Sequence, residues 1–332
     1  MKDWASLTDE ELLGIRFRDL ELDVAFGLLS KALSALSREL SRRDIEFRPH
    51  VWLGEEWFCP DGVPGFAAPF YLAHPRLMQL ERRQMFEVEG GTFRSCLRLM
   101  RHETGHAIDN AYRLRLRRQR RRLFGSSEEP YPEFYAPRPF SRRFVRHLEF
   151  GYAQAHPDED FAETFAVWLD PGSRWRERYQ DWPALEKLDY MDQLMKEVAR
   201  REPLTNNRRT PEKLASLRRT LRTHYRRKKI RYQVDFSQHY DADLHRLFGD
   251  KGRRSASDFL RRHRTALRHQ VSRWTGIHGY TVDQVLKDWI TRSRATGLRV
   301  SGNEHRVLRD ATVALTVRAM QYLQSGHYEV AL

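Results

Sequence analysis

Residues 101–107 read Arg-His-Glu-Thr-Gly-His-Ala, an H-E-x-x-H pattern inside an apolar segment that favours a helix. On a helix, His102 and His106 are one turn apart and project from the same face. That spacing lets two imidazole nitrogens bind one Zn²⁺ ion. Glu103 lies beside them, where it can act as general base toward a metal-activated water. The pattern therefore predicts a zinc site carried by a helix.

A catalytic zinc site needs a third protein ligand and an open position for water. Residues 156–169 (HPDEDFAETFAVWL) supply the candidates on a segment whose first residues are typical of a helix start. Glu159 and Glu163 are one turn apart, so one carboxylate can bind the metal while the other accepts the second N–H of a ligand histidine. Two acids on an otherwise apolar helix are costly to bury without such partners. As an alternative, His156 would be a fourth protein ligand and make the site structural.

The elements HETGHAID and HPDEDFAETFAVWL resemble the bacterial zinc-binding metallopeptidase family. More broadly, they resemble the gluzincins, the zincins whose third ligand is a glutamate. In several gluzincin branches this glutamate opens an E-x-x-A-[D/E] motif. The resemblance, which covers about residues 40–200, implies that Glu159 binds zinc and that Glu163 orients a ligand histidine. Glu163 as the ligand is the alternative.

Residues 105–109 (GHAID) also resemble the lethal-factor-like branch, which has a tyrosine seven residues before its glutamate ligand. That position is Tyr152 here, so the resemblance implies a tyrosine that stabilises an oxyanion; an ordinary core or surface tyrosine is the alternative. Asp109 either orients a ligand histidine or faces solvent. Family members often begin with a cysteine-rich zinc ribbon. With only Cys59 and Cys96, this chain is expected to lack that module.

Several other classes of protein do not fit the sequence. It contains no G-x-S-x-G, Walker or G-x-G-x-x-G pattern. Asp109 and Tyr112 stand where a metzincin needs a glycine and a third histidine. Two cysteines provide no disulfide framework, which favours a reducing compartment. Without a signal-peptide pattern or a long apolar run, we expect a cytoplasmic protein with no membrane span.

The 332 residues are enough for two domains, and charge divides them unevenly. The turn-rich segment near residue 203 predicts a domain boundary. It would separate residues 1–202, which the resemblance implies to be a zincin-like metallopeptidase domain, from a basic helical C-terminal region over 203–332. Residues 201–332 hold 28 Lys and Arg against 12 Asp and Glu, whereas residues 1–200 hold 31 against 33. Residues 211–270 are candidates for binding an acidic partner or nucleic acid, and solvated helix faces are the alternative.

The periodicity predicts an α+β fold that is mostly helical, with a small sheet and an active-site helix. Strands are expected at 45–52 and 66–73. The basic run 113–122 is expected to be a solvated last turn, and the proline-rich residues 125–140 a lid or cleft wall. Besides one or two helices within 9–43, the expected helices are 92–116, 141–150, 157–169, 183–200, 211–229, 255–274, 280–296 and 303–325.

Taken together, these features predict a zinc-dependent peptidase that hydrolyses a peptide or protein substrate, with Glu103 as general base. The alternative is a non-catalytic protein with a zincin-like core and a binding or regulatory role. In that case the basic C-terminal region would engage nucleic acid or an acidic partner.

Overall fold

The computed structural model describes residues 4–132, 135, 137–138, 140–232 and 241–324. These residues are mostly helical and include two small two-stranded sheets. The predicted α+β, mostly helical fold class is therefore confirmed. The described residues form two compact units: the first runs to Gln84 and from Val88 to His224, and the second contains Met85–Glu87 and the residues from Tyr225 onward. None of the helices in these described residues is both long and apolar enough to cross a membrane.

The first unit holds most of the helices and the parallel strand pair. Its α-helices are α1 (Asp9–Leu13), α2 (Gly27–Ser41), α3 (Pro75–Met85), α4 (Phe93–Tyr112), α5 (Arg118–Phe124), α6 (Pro157–Leu169), α7 (Trp175–Arg178) and α8 (Ala184–Val198). Helix α9 (Leu221–Arg231) begins in this unit, and the division between the units falls inside it. The strands are β1 (His50–Gly54) and β2 (Gly65–Pro69). Short 3-10 helices lie at Trp4–Ser6, Phe17–Asp19, Phe70–Ala73, Leu114–Leu116, Glu149–Gln154 and Leu214–Ser216.

Strands β1 and β2 pair in parallel, with His50 opposite Gly65. A side chain on Gly65 would place its Cβ 2.1 Å from the His50 carbonyl oxygen, so this close pairing requires glycine. Both strands lie where the sequence predicted strands, but their bounds differ. The second strand ends at Pro69, and residues 70–73 turn into a 3-10 helix. Proline lacks the N–H that would continue the pairing.

The centre of the first unit is the contact between α4 and α6. Helix α6 is buried from Asp158 to Leu169, and Gly105 of α4 packs against it. A Cβ on Gly105 would lie 2.7 Å from the Ala162 Cα, so only glycine permits this backbone approach. Because the two helix backbones approach this closely, side chains of α4 and α6 lie within hydrogen-bond distance of one another.

A buried arginine fixes the other side of α4. Arg101 donates two hydrogen bonds to the Glu39 carboxylate of α2, at 2.8 and 2.7 Å. Its guanidinium also lies 3.0 Å from Asp170, immediately after α6. Because Arg101 directly precedes the first histidine of the motif, these ion pairs hold that turn of α4 against both neighbouring helices.

The second unit consists of α10 (Asp241–Leu247), α11 (Ala256–Thr275), α12 (Gly279–Ala295) and α13 (Glu304–Gln324), with β3 (Arg254–Ser255) antiparallel to β4 (Arg299–Val300). Its apolar core surrounds the fully buried Trp289. Asp283 is also fully buried and accepts hydrogen bonds from Arg264 and Arg268 at 2.8 and 2.9 Å. Part of the basic charge of this region is therefore used inside the unit to neutralise buried acid.

Residues 203–224, beyond the boundary suggested by the sequence, belong to the first unit in this structure. The indole N–H of Trp52 donates to the Pro211 carbonyl at 3.1 Å, and Arg16 forms an isolated bridge with Thr220. These pairings involve residues far apart in sequence, so local composition does not reveal them.

Several predicted helices differ from the structure in extent. Residues 141–148 are irregular and are followed by the 3-10 helix Glu149–Gln154, so the helix expected at 141–150 was wrong. The helix expected at 211–229 is shorter and begins at Leu221. Helices α3, α5, α7 and α10 were not predicted. Residue 325 and residues 233–240, the latter inside the proposed partner-binding segment, lie outside the described residues.

The basic run 113–122 is not the last turn of α4: it continues as the 3-10 helix Leu114–Leu116 and the start of α5. Arg113 adopts a left-handed conformation with φ 52°, which ends α4 at Tyr112 and lets α5 begin at Arg118. Arg120 in this helix is fully buried. Its guanidinium pairs with Asp109 and Asp158, and these two buried carboxylates explain why a charged side chain is stable there.

Candidate metal centre

Helix α4 presents both motif histidines on one face. A capping box between Thr92 and Ser95 starts the helix, and the motif lies at and just beyond the middle of its 20 residues. The Nε2 atoms of His102 and His106 lie 3.1 Å apart. His102 is buried, and the His106 side chain is 14% exposed, so the pair opens toward solvent on one side.

Helix α6 supplies the third group. Its N-cap is His156, whose side chain accepts from the Asp158 N–H, and Pro157 occupies the first turn. Glu159 follows in that same turn. Its Oε2 atom lies 3.0 Å from His102 Nε2 and 3.2 Å from His106 Nε2.

These three atoms form a nearly equilateral triangle of possible metal ligands. Ligands around tetrahedral zinc with bonds of 2.0–2.1 Å are about 3.3–3.4 Å apart, so the observed separations of 3.0–3.2 Å come within a few tenths of an ångström of that geometry. Two histidines and one glutamate are also a donor set of catalytic zinc sites. The residues therefore fit a zinc ion.

Glu163 supports the first histidine from the opposite side. Its Oε1 accepts from His102 Nδ1 at 2.9 Å, and its Oε2 accepts from the Leu148 N–H at 2.7 Å. Both carboxylate oxygens are thus engaged by protein donors. Because an ionised carboxylate can only accept, the ring hydrogen of a neutral His102 lies on Nδ1. The other ring nitrogen, Nε2, then has a free lone pair that can bind a metal.

Glu103 lies in the same buried environment without a hydrogen-bond partner for one oxygen. The residue is 7% exposed, and its Oε2 atom has no hydrogen bond within the described part of the chain. Burial raises the pKa of this carboxyl above its usual value, while the charges of His102 and His106 act in the opposite direction. A buried acceptor oxygen that has no protein partner, on a carboxylate coupled electrostatically to both histidines, is suited to binding a water molecule.

Two tyrosines reach the centre, and the sequence analysis identified only one of them. The Tyr152 ring centroid lies 5.5 Å from that of His102. Burial, together with the charge of Glu159, raises the pKa of Tyr152, so its hydroxyl stays protonated at neutral pH. Tyr131 was missed: its hydroxyl donates to Glu159 Oε1 at 3.0 Å. The only signal for it was its position between two prolines in the loop expected to form a lid or cleft wall.

Two other candidates lie elsewhere. Asp109 accepts from the Arg115 N–H at 2.7 Å and from Arg120, which places it with arginines instead of with a ligand histidine. His156 bonds through Nε2 to the Glu129 carbonyl at 2.8 Å, while its Nδ1 caps α6. With both ring nitrogens engaged, His156 is not placed as a fourth ligand.

A comparison with known protein families matches the part of the chain that carries the candidate metal centre. The model of a family described as "Putative zinc-binding metallo-peptidase" matches residues 76–172, less than a third of the chain. The matched residues run from α3 to just beyond α6 and include His102, Glu103, His106 and Glu159. Searches of curated proteins and of solved structures found no match. Over residues 76–172, the chain is thus similar to the family that carries this description.

Proposed function

We propose that this chain is a zinc-dependent peptidase of the gluzincin type, with His102, His106 and Glu159 as the metal ligands. The observation that carries the proposal is the convergence of three ligand atoms at 3.0–3.2 Å, next in sequence to a Glu103 carboxylate that has one buried, unpartnered oxygen. When bound, zinc supplies Lewis acidity, which makes water a nucleophile near neutral pH and polarises a carbonyl.

Glu103 is the proposed general base. Its Oε2 accepts a proton from the attacking water and then passes that proton to the amine that leaves from the cleaved peptide bond. Burial favours this role, because a carboxylate with a raised pKa holds a proton more readily than one in water. No other protein donor among the described residues competes for that oxygen.

Tyr152 is the proposed hydrogen-bond donor to the carbonyl oxygen of the substrate. Its protonated hydroxyl stabilises the negative charge that develops on that oxygen as the peptide bond is attacked. Glu163 has a different proposed role. By accepting from His102 Nδ1, it keeps that imidazole in one tautomer and orientation.

The experiment that tests the proposal compares the wild-type chain with Glu103→Gln on a mixture of synthetic peptides, with cleavage read by mass spectrometry. The substitution preserves shape and leaves the three ligands in place, so the variant should keep its zinc. Hydrolysis should fall by about 10²–10⁴-fold, the usual contribution of a positioned general base. Glu177→Gln, the same change at an exposed residue, is the matched control.

Two outcomes would contradict this assignment. Equal cleavage by wild type and Glu103→Gln would remove Glu103 from the mechanism. Zinc-loaded wild type that cleaves no peptide in the mixture would favour the non-catalytic alternative, in which the basic C-terminal region binds an acidic partner or nucleic acid. That interaction remains a prediction, and strong salt dependence would be its signature.

A further inference from the structure

The loop before the glutamate helix contacts the N-terminal turn of α6 at alternate residues. The Gly125 carbonyl accepts from Arg120, which itself pairs with Asp158. The Ser127 hydroxyl donates to the same Asp158 carboxylate. Further along, the Glu129 carbonyl bonds His156 Nε2 at 2.8 Å. Residues 126–129 form a turn, closed by the Glu129 N–H donating to the Ser126 carbonyl at 3.3 Å, and these contacts hold the turn against the start of α6.

Tyr131 is the next contact in this series and the one that reaches the metal centre. Its ring stacks on His156, with centroids 3.8 Å apart and planes inclined by 14°. Its hydroxyl donates to Glu159 Oε1 at 3.0 Å. The hydroxyl is the donor in this contact, because an ionised carboxylate can only accept. The stack fixes the ring, and the fixed ring aims the hydroxyl at one carboxylate oxygen.

The local sequence favours this arrangement. Tyr131 stands between Pro130 and Pro132, and a residue before proline is restricted to extended conformations. Prolines also reduce the number of conformations available to the unfolded loop, so less entropy is lost when the loop is ordered. The prolines therefore restrict the backbone at Glu129 and Tyr131, the two residues of the loop that contact His156.

The two oxygens of Glu159 therefore face different partners. Oε2 points between His102 and His106, whereas Oε1 is occupied by the tyrosine hydroxyl. The hydrogen bond to Oε1 draws on that oxygen's lone pairs and orients the carboxylate, so it favours ligation through Oε2 alone. In a zinc site with three protein ligands, single-oxygen ligation leaves room for water in the fourth position.

We propose that Tyr131 is a positioning residue that holds Glu159 as a single-oxygen metal ligand, with the segment 125–131 serving as its support along α6. The inference rests on the proposed metal centre, but it does not depend on peptide hydrolysis. The two tyrosines of the site then have different roles. Tyr131 orients the Glu159 carboxylate, whereas Tyr152 donates a hydrogen bond to the substrate.

The test compares wild type and Tyr131→Phe by zinc titration against a competing chelator and by the visible absorption of the cobalt(II)-substituted protein. Phenylalanine keeps the ring stack on His156 and removes only the hydroxyl. Zinc affinity should fall about tenfold, the low end of the range for groups that support a ligand, because Tyr131 is 47% exposed. The cobalt absorption should weaken as the released oxygen raises the coordination number, a change that loosened loop packing alone would not produce.

Tyr190→Phe is the matched control, since its buried hydroxyl has no hydrogen bond in the described part of the structure. This control should keep both the zinc affinity and the cobalt spectrum of the wild type. If Tyr131→Phe also keeps both, the positioning role is overturned while the metal centre stands. If the wild type itself binds neither zinc nor cobalt, the metal centre fails and the role of Tyr131 fails with it.

Discussion

Glu163 offers a sharp test of the metal centre, because its proposed role depends on hydrogen bonds and not on contact with the metal. The side chain is fully buried and accepts from His102 Nδ1 at 2.9 Å and from the Leu148 N–H at 2.7 Å. Glu163→Gln keeps the shape but replaces one acceptor oxygen with a donor. Either His102 or the Leu148 N–H must then face another N–H group.

The size of the effect follows from these two choices. If the new NH₂ group faces Leu148, one buried hydrogen bond is lost, at about 1–3 kcal/mol, and His102 loses the negative charge that made it more basic. If the NH₂ faces His102, the imidazole proton must move to Nε2 and the lone pair for the metal disappears. The less costly orientation should prevail, so we expect zinc affinity to fall about 10–100-fold, or about 1.4–2.7 kcal/mol.

The assay is zinc titration in competition with a chromogenic chelator near neutral pH, with thermal unfolding to verify that each variant is folded. Glu159→Gln should lose more affinity than Glu163→Gln, because it replaces a charged ligand directly. Glu177→Gln, at an exposed position, should bind zinc like the wild type. Wild-type affinity in Glu163→Gln, or a loss larger than that of Glu159→Gln, would refute the assigned roles.

Two further predictions concern stability. Gly105→Ala should lower the free energy of unfolding by about 1–2 kcal/mol. A Cβ there meets the α6 backbone at 2.7 Å, and this clash outweighs the better helix propensity of alanine. Denaturant titration checks this, with Gly172→Ala as the control, because a Cβ at Gly172 has its nearest contact at an ordinary 3.5 Å. The second prediction concerns His278, whose pKa is lowered to about 3 by burial and by the charge of Lys228. Below about pH 6.5 the imidazole is protonated in the unfolded state but not in the folded state, so the free energy of unfolding decreases as the pH is lowered. The loss at pH 5 should reach about 2 kcal/mol at most, because Glu87 lies 3.7 Å away and favours the charged form. His278→Asn keeps a capping acceptor and should flatten this slope in pH-dependent unfolding; an unchanged slope would contradict the assignment.

Local patterns were enough to predict the helical elements that carry the site. The i, i+4 spacing of His102 and His106 places two imidazoles on one face of any helix, whatever surrounds it. The acids of α6 are likewise one turn apart, and the predicted helix at 157–169 coincides with the observed one. The α+β, mostly helical fold class followed from the same periodicities. These features depend on residues within a few positions of one another, which is the range over which sequence periodicity is informative.

Which side-chain atoms come into contact at the site depends on how the helices and loops pack in the tertiary structure. Glu159 and Glu163 are equivalent by helical spacing, and they differ because the close approach of α4 to α6 at Gly105 directs one toward the two Nε2 atoms and the other toward His102 Nδ1. Tyr131 reaches Glu159 from a loop 28 positions earlier in the chain. Asp109 was expected to orient a histidine or face solvent, yet it pairs with Arg120 of a separate helix. These partners lie between 11 and 61 positions apart in sequence, which is beyond the few residues over which periodicity is informative.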